Sequence, residues 1–433
     1  MIRFLLLCFS WLALASPTTA QTPYFPPLLG NTWQATDPAD LGWCAPALDD
    51  LQTFLGERHT KAFLILKDGK RVVEWYFDDF VQDSLWYWAS AGKSLMATMV
   101  GIAQEEGLLA IEDATQDYLG AGWTSTTPEQ EQAITIRHQL TMTTGLSDLT
   151  GDVDCTEPAC LTYLAPPGTR WAYHNAPYTL LGDVIAAAAG VSENQFFASR
   201  IGNKIGAFGA YVSIGSNRVF ISRARDMARF GLLILNQGQW NNTTVLGDMD
   251  YFTAMTTPSQ DINPAYGYLW WLNGQESYQL PGLQFSFGGP LIASAPADMF
   301  AALGKNDQKI YVVPSQGLVV VRMGNDASGG LLALSDFDPL LWDKISQLAC
   351  ATPTQEAADV ADAIVLAPNP AGEMFTVQGP QPVQMTTLFD LNGRQVLQSN
   401  QPRIAVAQLP AGMYWARITL ANGQEVVRKV VVK

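Results

Sequence analysis

Histidine is scarce in this chain of 433 residues. The three present, His59, His138 and His174, do not stand at the spacing of a helical metal pair, and no cysteine pair is flanked by further ligands. Metal catalysis therefore has no candidate ligand set. Positive charge is short too: 25 Lys and Arg face 40 Asp and Glu, giving a net charge of −15 and a pI near 4.6. That balance argues against nucleic acid or an anionic membrane as partner. No glycine-rich loop of the phosphate-cradling kind occurs, and the Gly-x-Ser-x-Gly elbow of an α/β-hydrolase is missing. Beyond the first 20 residues, no apolar run is long enough to cross a bilayer.

What the chain does have is Ser90-Ala91-Gly92-Lys93, at the start of an apolar helical run from Ser94 to Glu106. Residues three apart on a helix share a face, so the Lys93 amine can reach the Ser90 hydroxyl. A hydroxyl is a weak nucleophile at neutral pH, and an adjacent amine can take its proton if burial keeps that amine uncharged. Near a helix N-terminus, Ser90 also meets free N–H groups that favour developing negative charge. About one Ser-x-x-Lys arises by chance in a chain this long. The plain alternative is a helix cap beside a solvated lysine, so the neighbouring motifs decide.

Upstream, Ala62–Leu66 and Arg71–Phe77 flank Lys67-Asp68-Gly69-Lys70 and read as a β-hairpin with an Asp-Gly turn. Trp86, Tyr87 and Trp88 then lead into Ser90. Downstream, Pro167-Gly168-Thr169-Arg170-Trp171-Ala172-Tyr173-His174-Asn175 precedes a helical stretch, Tyr178 to Ala189. A phenol near a cationic lysine has its anion stabilised, so Tyr173 is a candidate proton shuttle. The Asn175 amide can bond both the Lys93 amine and a substrate carbonyl. His174, between them, is either a substrate contact or a filler of the turn.

This order of hairpin, Ser-x-x-Lys helix and Tyr-x-Asn loop resembles the serine hydrolase superfamily of class C β-lactamases, D-alanyl-D-alanine carboxypeptidases and related esterases and amide hydrolases. Ile134–Leu146, ending in a Gly-Leu turn, and Ser222–Ile234, with Ser222 as expected helix N-cap, resemble its scaffold segments. The resemblance implies an α/β (α+β) fold of β-lactamase/transpeptidase type, an antiparallel sheet flanked by helices beside a mostly helical lobe. It places Ser90 at the junction and implies catalytic roles for Ser90, Lys93, Tyr173 and Asn175.

The chain departs from the family where a Lys-Thr-Gly or His-x-Gly strand binds a substrate carboxylate. Ala302-Leu303-Gly304 or Met299-Phe300-Ala301 stands there, with no cation or hydroxyl. The stretch Gly304-Lys305-Asn306-Asp307-Gln308, followed by Val312-Val313-Pro314, is more similar to the esterase and 6-aminohexanoate-oligomer hydrolase branch. That likeness implies an oxyanion hole made by the backbone N–H groups of Ser90 and Lys305, each worth roughly 3 kcal/mol at a tetrahedral intermediate. Substrate contacts are expected at Gly304, Trp86, Trp88 and His174. Gly238–Gly289 is rich in aromatics, some expected in the core and others at an apolar pocket.

The ends carry a different message. Residues 1–20 read as a secretory signal: Arg3, an apolar run from Phe4 to Ala15, then Thr18-Thr19-Ala20. Cys8 falls inside that run, so four cysteines are expected in the exported chain and imply disulfides. Cys155–Cys160 closes a short loop, and the packing of terminal helices in the family implies Cys44–Cys350. Residues 21–350 are the expected hydrolase domain, and 351–363, small and acidic, the linker. Residues 364–433 read as short strands of a small β-sandwich. Ala367-Pro368-Asn369-Pro370, Leu388-Phe389-Asp390-Leu391-Asn392-Gly393-Arg394, Ala411-Gly412-Met413-Tyr414 and the basic end resemble the C-terminal sorting domain of type IX secretion cargo.

The expectation is thus a secreted or surface serine hydrolase, monomeric, acting on ester or amide substrates without metal or organic cofactor, exported through the periplasm of a Gram-negative bacterium. Its partner is the type IX machinery, through 364–433. Two alternatives stand beside it: a β-lactamase or peptidoglycan DD-peptidase, and a non-catalytic surface binding protein on the same fold.

Overall fold

A computed structural model describes residues 23–149, 151–329, 334–349, 363–391, 393–421 and 425–433. The expected signal, Cys350 and nearly all of the expected linker lie outside these residues, as do Asn392 and the Asn422-Gly423 pair. The chain divides into two compact units between Ala349 and Cys350.

In the larger unit, α1 (Ala45–Glu57) leads to the hairpin β1 (Thr60–Lys67) and β2 (Lys70–Tyr76). Its turn needs two left-handed residues, supplied by Asp68 at φ +50 and Gly69 at φ +83. Then come α2 (Gly92–Glu105), α3 (Asn175–Ala189), a second hairpin β3 (Gly209–Ile214) and β4 (Asn217–Ser222), and α4 (Ala224–Leu235). The short β5 (Trp271–Leu272), then β6 (Phe300–Gly304), β7 (Gln308–Val313), β8 (Leu318–Gly324) and α5 (Phe337–Ser346) follow, with shorter helices and strands between these elements. The sheet runs β2-β1-β8-β7-β6-β5 and is antiparallel throughout.

Strand alternation assigns the helices to opposite faces. Ile310 and Val319 face α4, where an added Cβ on Gly231 would come within 3.0 Å and 2.5 Å of their methyl groups. Lys309 and Tyr311 face α5 instead. The Lys309 ammonium meets Asp338 at 2.8 Å and Asp307 at 3.1 Å, and the Tyr311 hydroxyl donates to Asp338 at 2.6 Å. On the helical side, α2 is buried from Gly92 to Ala103. A helix enclosed all round must be apolar all round, which is why its sequence shows no polar face. Ser222, expected from sequence to cap α4, does not do so; Arg223 holds that position, and the Ser222 hydroxyl donates to Arg223 O.

Among its described residues the smaller unit has seven strands: β9 (Val365–Ala367), β10 (Met374–Gln378), β11 (Val383–Phe389), β12 (Gln395–Ser399), β13 (Arg403–Ala405), β14 (Gly412–Leu420) and β15 (Glu425–Val432). They form a three-stranded sheet, β9-β10-β13, and a four-stranded one, β12-β11-β14-β15. Along β14 the buried residues alternate, Tyr414, Ala416, Ile418 and Leu420, as a half-buried strand requires. The motif residues now have physical work. Asn369 donates to Lys429 O at 2.7 Å and accepts from Val431 N–H at 2.9 Å, fastening the opening segment to the last strand. Buried Tyr414 donates to Pro410 O at 2.8 Å.

Asp338 is fully buried and compensates Lys309. Asp338→Ala leaves an ammonium and a phenol short of an acceptor, and we expect a loss of about 3–5 kcal/mol in denaturant unfolding.

Candidate active site

Ser90 stands in a single 3₁₀ turn, Ala89–Ala91, immediately before α2. The turn is held from behind. Trp88 N–H donates to Phe220 O at 2.8 Å, and the buried Trp88 indole donates to Ser222 Oγ at 2.8 Å while packing edge-on against Phe220. Between that anchor and α2, Ala89 adopts φ +46. A left-handed conformation at a residue with a side chain costs of order 1–3 kcal/mol. Both Ala89 and Ser90 line a pocket of about 630 Å³. Nothing in an alanine announces such a conformation, so sequence reasoning missed this kink.

Lys93, 3% exposed, reaches back one turn and its Nζ lies 3.0 Å from Ser90 Oγ. Burial in an apolar shell lowers its pKa to about 7, against an upward pull from the Asp154 carboxylate. The faces of Tyr178 and Tyr173 lie 4.4 and 5.0 Å from the amine. Burial holds the Tyr173 pKa well above the ordinary value, and neighbouring Ser90 pulls it more weakly the other way. The phenolate pictured from sequence is therefore not the resting form: Tyr173 is a neutral phenol beside an amine that is largely uncharged above neutral pH. The three groups make a hydroxyl, a proton acceptor and a proton donor in mutual reach.

Asn175 opens α3, next to this trio, but its amide is engaged differently from expectation. Its Nδ2 donates to Asp154 Oδ1 at 2.8 Å, while its buried Oδ1 finds no hydrogen-bond partner. Asp154 had no part in the sequence reading. It immediately precedes the Cys155–Cys160 disulfide, in a stretch that docks on α3 through Ala176 N–H to Val153 O at 3.1 Å. Asp148 lines the same pocket and pairs with Arg170 at 2.7 Å. His174 does not line it; the ring is 3% exposed and burial lowers its pKa to about 4, so it is a neutral core imidazole.

Lys305 forms the facing rim with Tyr87, while Asn217, Val219 and Ile214 of the β3–β4 hairpin, Val153, Pro281 and Gly282 complete the lining. The end of β6 presses against the Ser90 turn: a Cβ on Gly304 would stand 2.3 Å from Trp88 O and 3.0 Å from Ala91 N. Gly304 is thus a point of backbone contact rather than a substrate contact. The following turn contains two left-handed residues, Asn306 at φ +59 and Asp307 at φ +58. It is pinned by Gln308 Nε2 to Asn306 O at 2.8 Å, Arg322 to Asp307 O at 2.8 Å, and Asn306 Nδ2 to the Tyr87 hydroxyl at 2.7 Å. Trp86 and Trp88, expected at the pocket, do not line it. Trp88 faces the core behind Ser90, and Trp86 packs edge-on against Phe80 and donates to Gly324 O. Cys350, the partner expected for Cys44, lies outside the described residues.

Residues 49–338 match the family model described as Beta-lactamase, and residues 365–433 match the secretion system C-terminal sorting domain. A curated relative, an uncharacterized protein of Alkalihalophilus pseudofirmus, is 25% identical over 273 residues, spanning 56% of this chain and 74% of its own length. Among solved structures, a candidate beta-lactamase from Bacteroides dorei has a TM-score of 0.56 at 16% identity, covering 71% of this chain and 99% of that one. A candidate 6-aminohexanoate-dimer hydrolase from Bacillus anthracis has a TM-score of 0.55 at 19% identity, covering 69% and 81%. A penicillin-binding protein homologue from Caulobacter crescentus has a TM-score of 0.53 at 15% identity, covering 70% and 97%. At these identities, the solved structures speak for the fold. The C-terminal sorting domain directs the protein to the cell surface or beyond.

A lysine whose pKa drops from 10.5 to about 7 on folding binds its proton more tightly in the unfolded chain. Its destabilising effect is full below pH 7 and fades as pH rises from 7 towards 10.5. Lys93→Met should therefore melt above the wild type at pH 7, with the gap narrowing by pH 10 in thermal unfolding scans.

Proposed function

We infer that this chain, which belongs to the beta-lactamase family, is a secreted serine hydrolase cleaving carboxylic esters or amides through an acyl-enzyme on Ser90. The observation that carries this reading is the buried Lys93 amine, 3.0 Å from Ser90 Oγ and with its pKa near 7. A base of that pKa is half deprotonated at neutral pH, where a lysine of ordinary pKa is almost wholly charged.

The steps follow from the neighbours. Lys93 Nζ takes the Ser90 proton as Oγ bonds to the substrate carbonyl carbon, and the carbonyl oxygen becomes an oxyanion. The backbone N–H groups of Ser90 and Lys305, on facing sides of the pocket, receive it. Collapse breaks the bond to the alcohol or amine, which takes a proton from the neutral Tyr173 phenol, and Lys93 returns a proton to Tyr173. Water then attacks the acyl-enzyme, and Ser90 recovers its proton. Asn175 supports Lys93 from one side. Residues 1–20 serve as export signal and 351–363 as linker to the sorting domain.

Ester or amide substrates without a carboxylate anchor fit best. The strand position that holds a cation or hydroxyl in carboxylate-binding relatives is filled here by buried Ala302-Leu303-Gly304, and Asp148 and Asp154 line the pocket. One observation favours the β-lactam or DD-peptide reading, the side chain of Lys305 at the pocket rim, and that reading requires a penicillin to be trapped covalently on Ser90.

With a p-nitrophenyl ester of short chain, Ser90→Ala and Lys93→Ala should each lower kcat/KM by about a thousandfold or more while circular dichroism stays native. Turnover of wild-type magnitude in either variant would contradict the assigned role.

A further inference from the structure

Asp154 is a carboxylate that the hydrolase chemistry above does not itself require. It lies in the pocket with Ser90, Tyr173 and Asn175, and it comes from a loop with two fastenings. The Cys155–Cys160 disulfide closes the loop behind it, and Val153 O receives the Ala176 N–H. Asp154 Oδ1 accepts from Asn175 Nδ2 at 2.8 Å, so the carboxylate determines which end of the Asn175 amide faces the site. The unpartnered Oδ1 of Asn175 is then left on the inner side.

The charges around Lys93 make this carboxylate stand out. Tyr173 and Tyr178, whose faces meet the amine, and Tyr211, which donates to Gly92 O, are phenols kept neutral by burial, as is Tyr266 behind Tyr173. His174 is neutral, and Asp148 is compensated by Arg170. Lys305 is a solvent-exposed cation on the opposite rim. Asp154 is engaged by a neutral amide, and its charge acts on Lys93.

We propose that Asp154 is a positioning residue for the Ser90–Lys93 pair: it orients Asn175 and supplies the negative charge facing the Lys93 ammonium formed when the serine proton is transferred. This inference rests on the serine-hydrolase reading and adds a residue to it. As Ser90 Oγ bonds to carbon, its proton moves to Lys93 Nζ, and the new cation is stabilised by a carboxylate already fixed in place.

Two variants separate the hydrogen bond from the charge. Asp154→Asn keeps an oxygen to accept from Asn175 and removes the charge; Asp154→Ala removes both. In the Asn variant we expect the Lys93 amine, titrated by nitrogen-15 NMR, and the acid limb of the kcat/KM profile to move together to lower pH by about one unit. The Ala variant should show the same shift, with a plateau kcat about tenfold below that of the Asn variant. A Lys93 titration in Asp154→Asn that coincides with the wild type overturns the proposal, and this readout needs no turnover. A wild type without Ser90-dependent turnover, but with the Lys93 shift, would instead overturn the hydrolase reading while leaving the Asp154–Lys93 coupling in place.

Discussion

An amine taken out of water is the constraint on which the rest of the molecule depends. The proposed role of Lys93 as base needs an amine that loses its proton near neutral pH, and burial of α2 on every side lowers its pKa to about 7. That enclosure needs the helical lobe on one flank and the sheet on the other. The apolar run after Ser90, the packing of Tyr173 and Tyr178 over the amine, and the depth of the pocket all serve the same desolvation. The cost is stability at neutral pH, a common exchange at sites built for chemistry.

A second constraint is the meeting of two backbone segments. The Ser90 turn and the end of β6 approach so closely that position 304 leaves no room for a side chain. Each segment is strained and each is braced. Ala89 is held by the Trp88 anchor in the core, and Asn306 and Asp307 are held by Gln308 and Arg322. Beneath the second turn, Lys309 is paired with both Asp307 and Asp338 within the sheet–helix interface. Such bracing suits the proposed oxyanion hole, because donors that need not move lose nothing to reorganisation when charge develops.

Much of this was legible in the sequence because its signals are local. Ser-x-x-Lys encodes its own contact through helix geometry, and Asp68-Gly69 encodes its hairpin. The alternation in Met413–Leu420 encodes a strand with one buried face. The sheet-plus-helical-lobe fold came from the family resemblance that such signals carry. What stayed hidden is non-local. Asp154 meets Asn175 across 21 residues, in a stretch that also bonds to α3 through Val153 O and Ala176 N–H. Trp88 looked like a pocket aromatic, yet tertiary packing against Phe220 turns it inward. His174 carries the composition of a functional residue, and burial makes it part of the core. The resting protonation of Tyr173 depends on a burial that no neighbour in sequence reveals.

The most direct test is intact-protein mass spectrometry of the wild type and Ser90→Ala, acid-quenched within seconds of mixing with a slowly deacylating p-nitrophenyl ester, followed by peptide mapping. We expect one added acyl mass on the wild type, located on the peptide that contains Ser90, and none on Ser90→Ala. Ester cleavage without that adduct, or an adduct of equal yield on Ser90→Ala, would contradict the claim that a buried neutral lysine makes Ser90 the nucleophile.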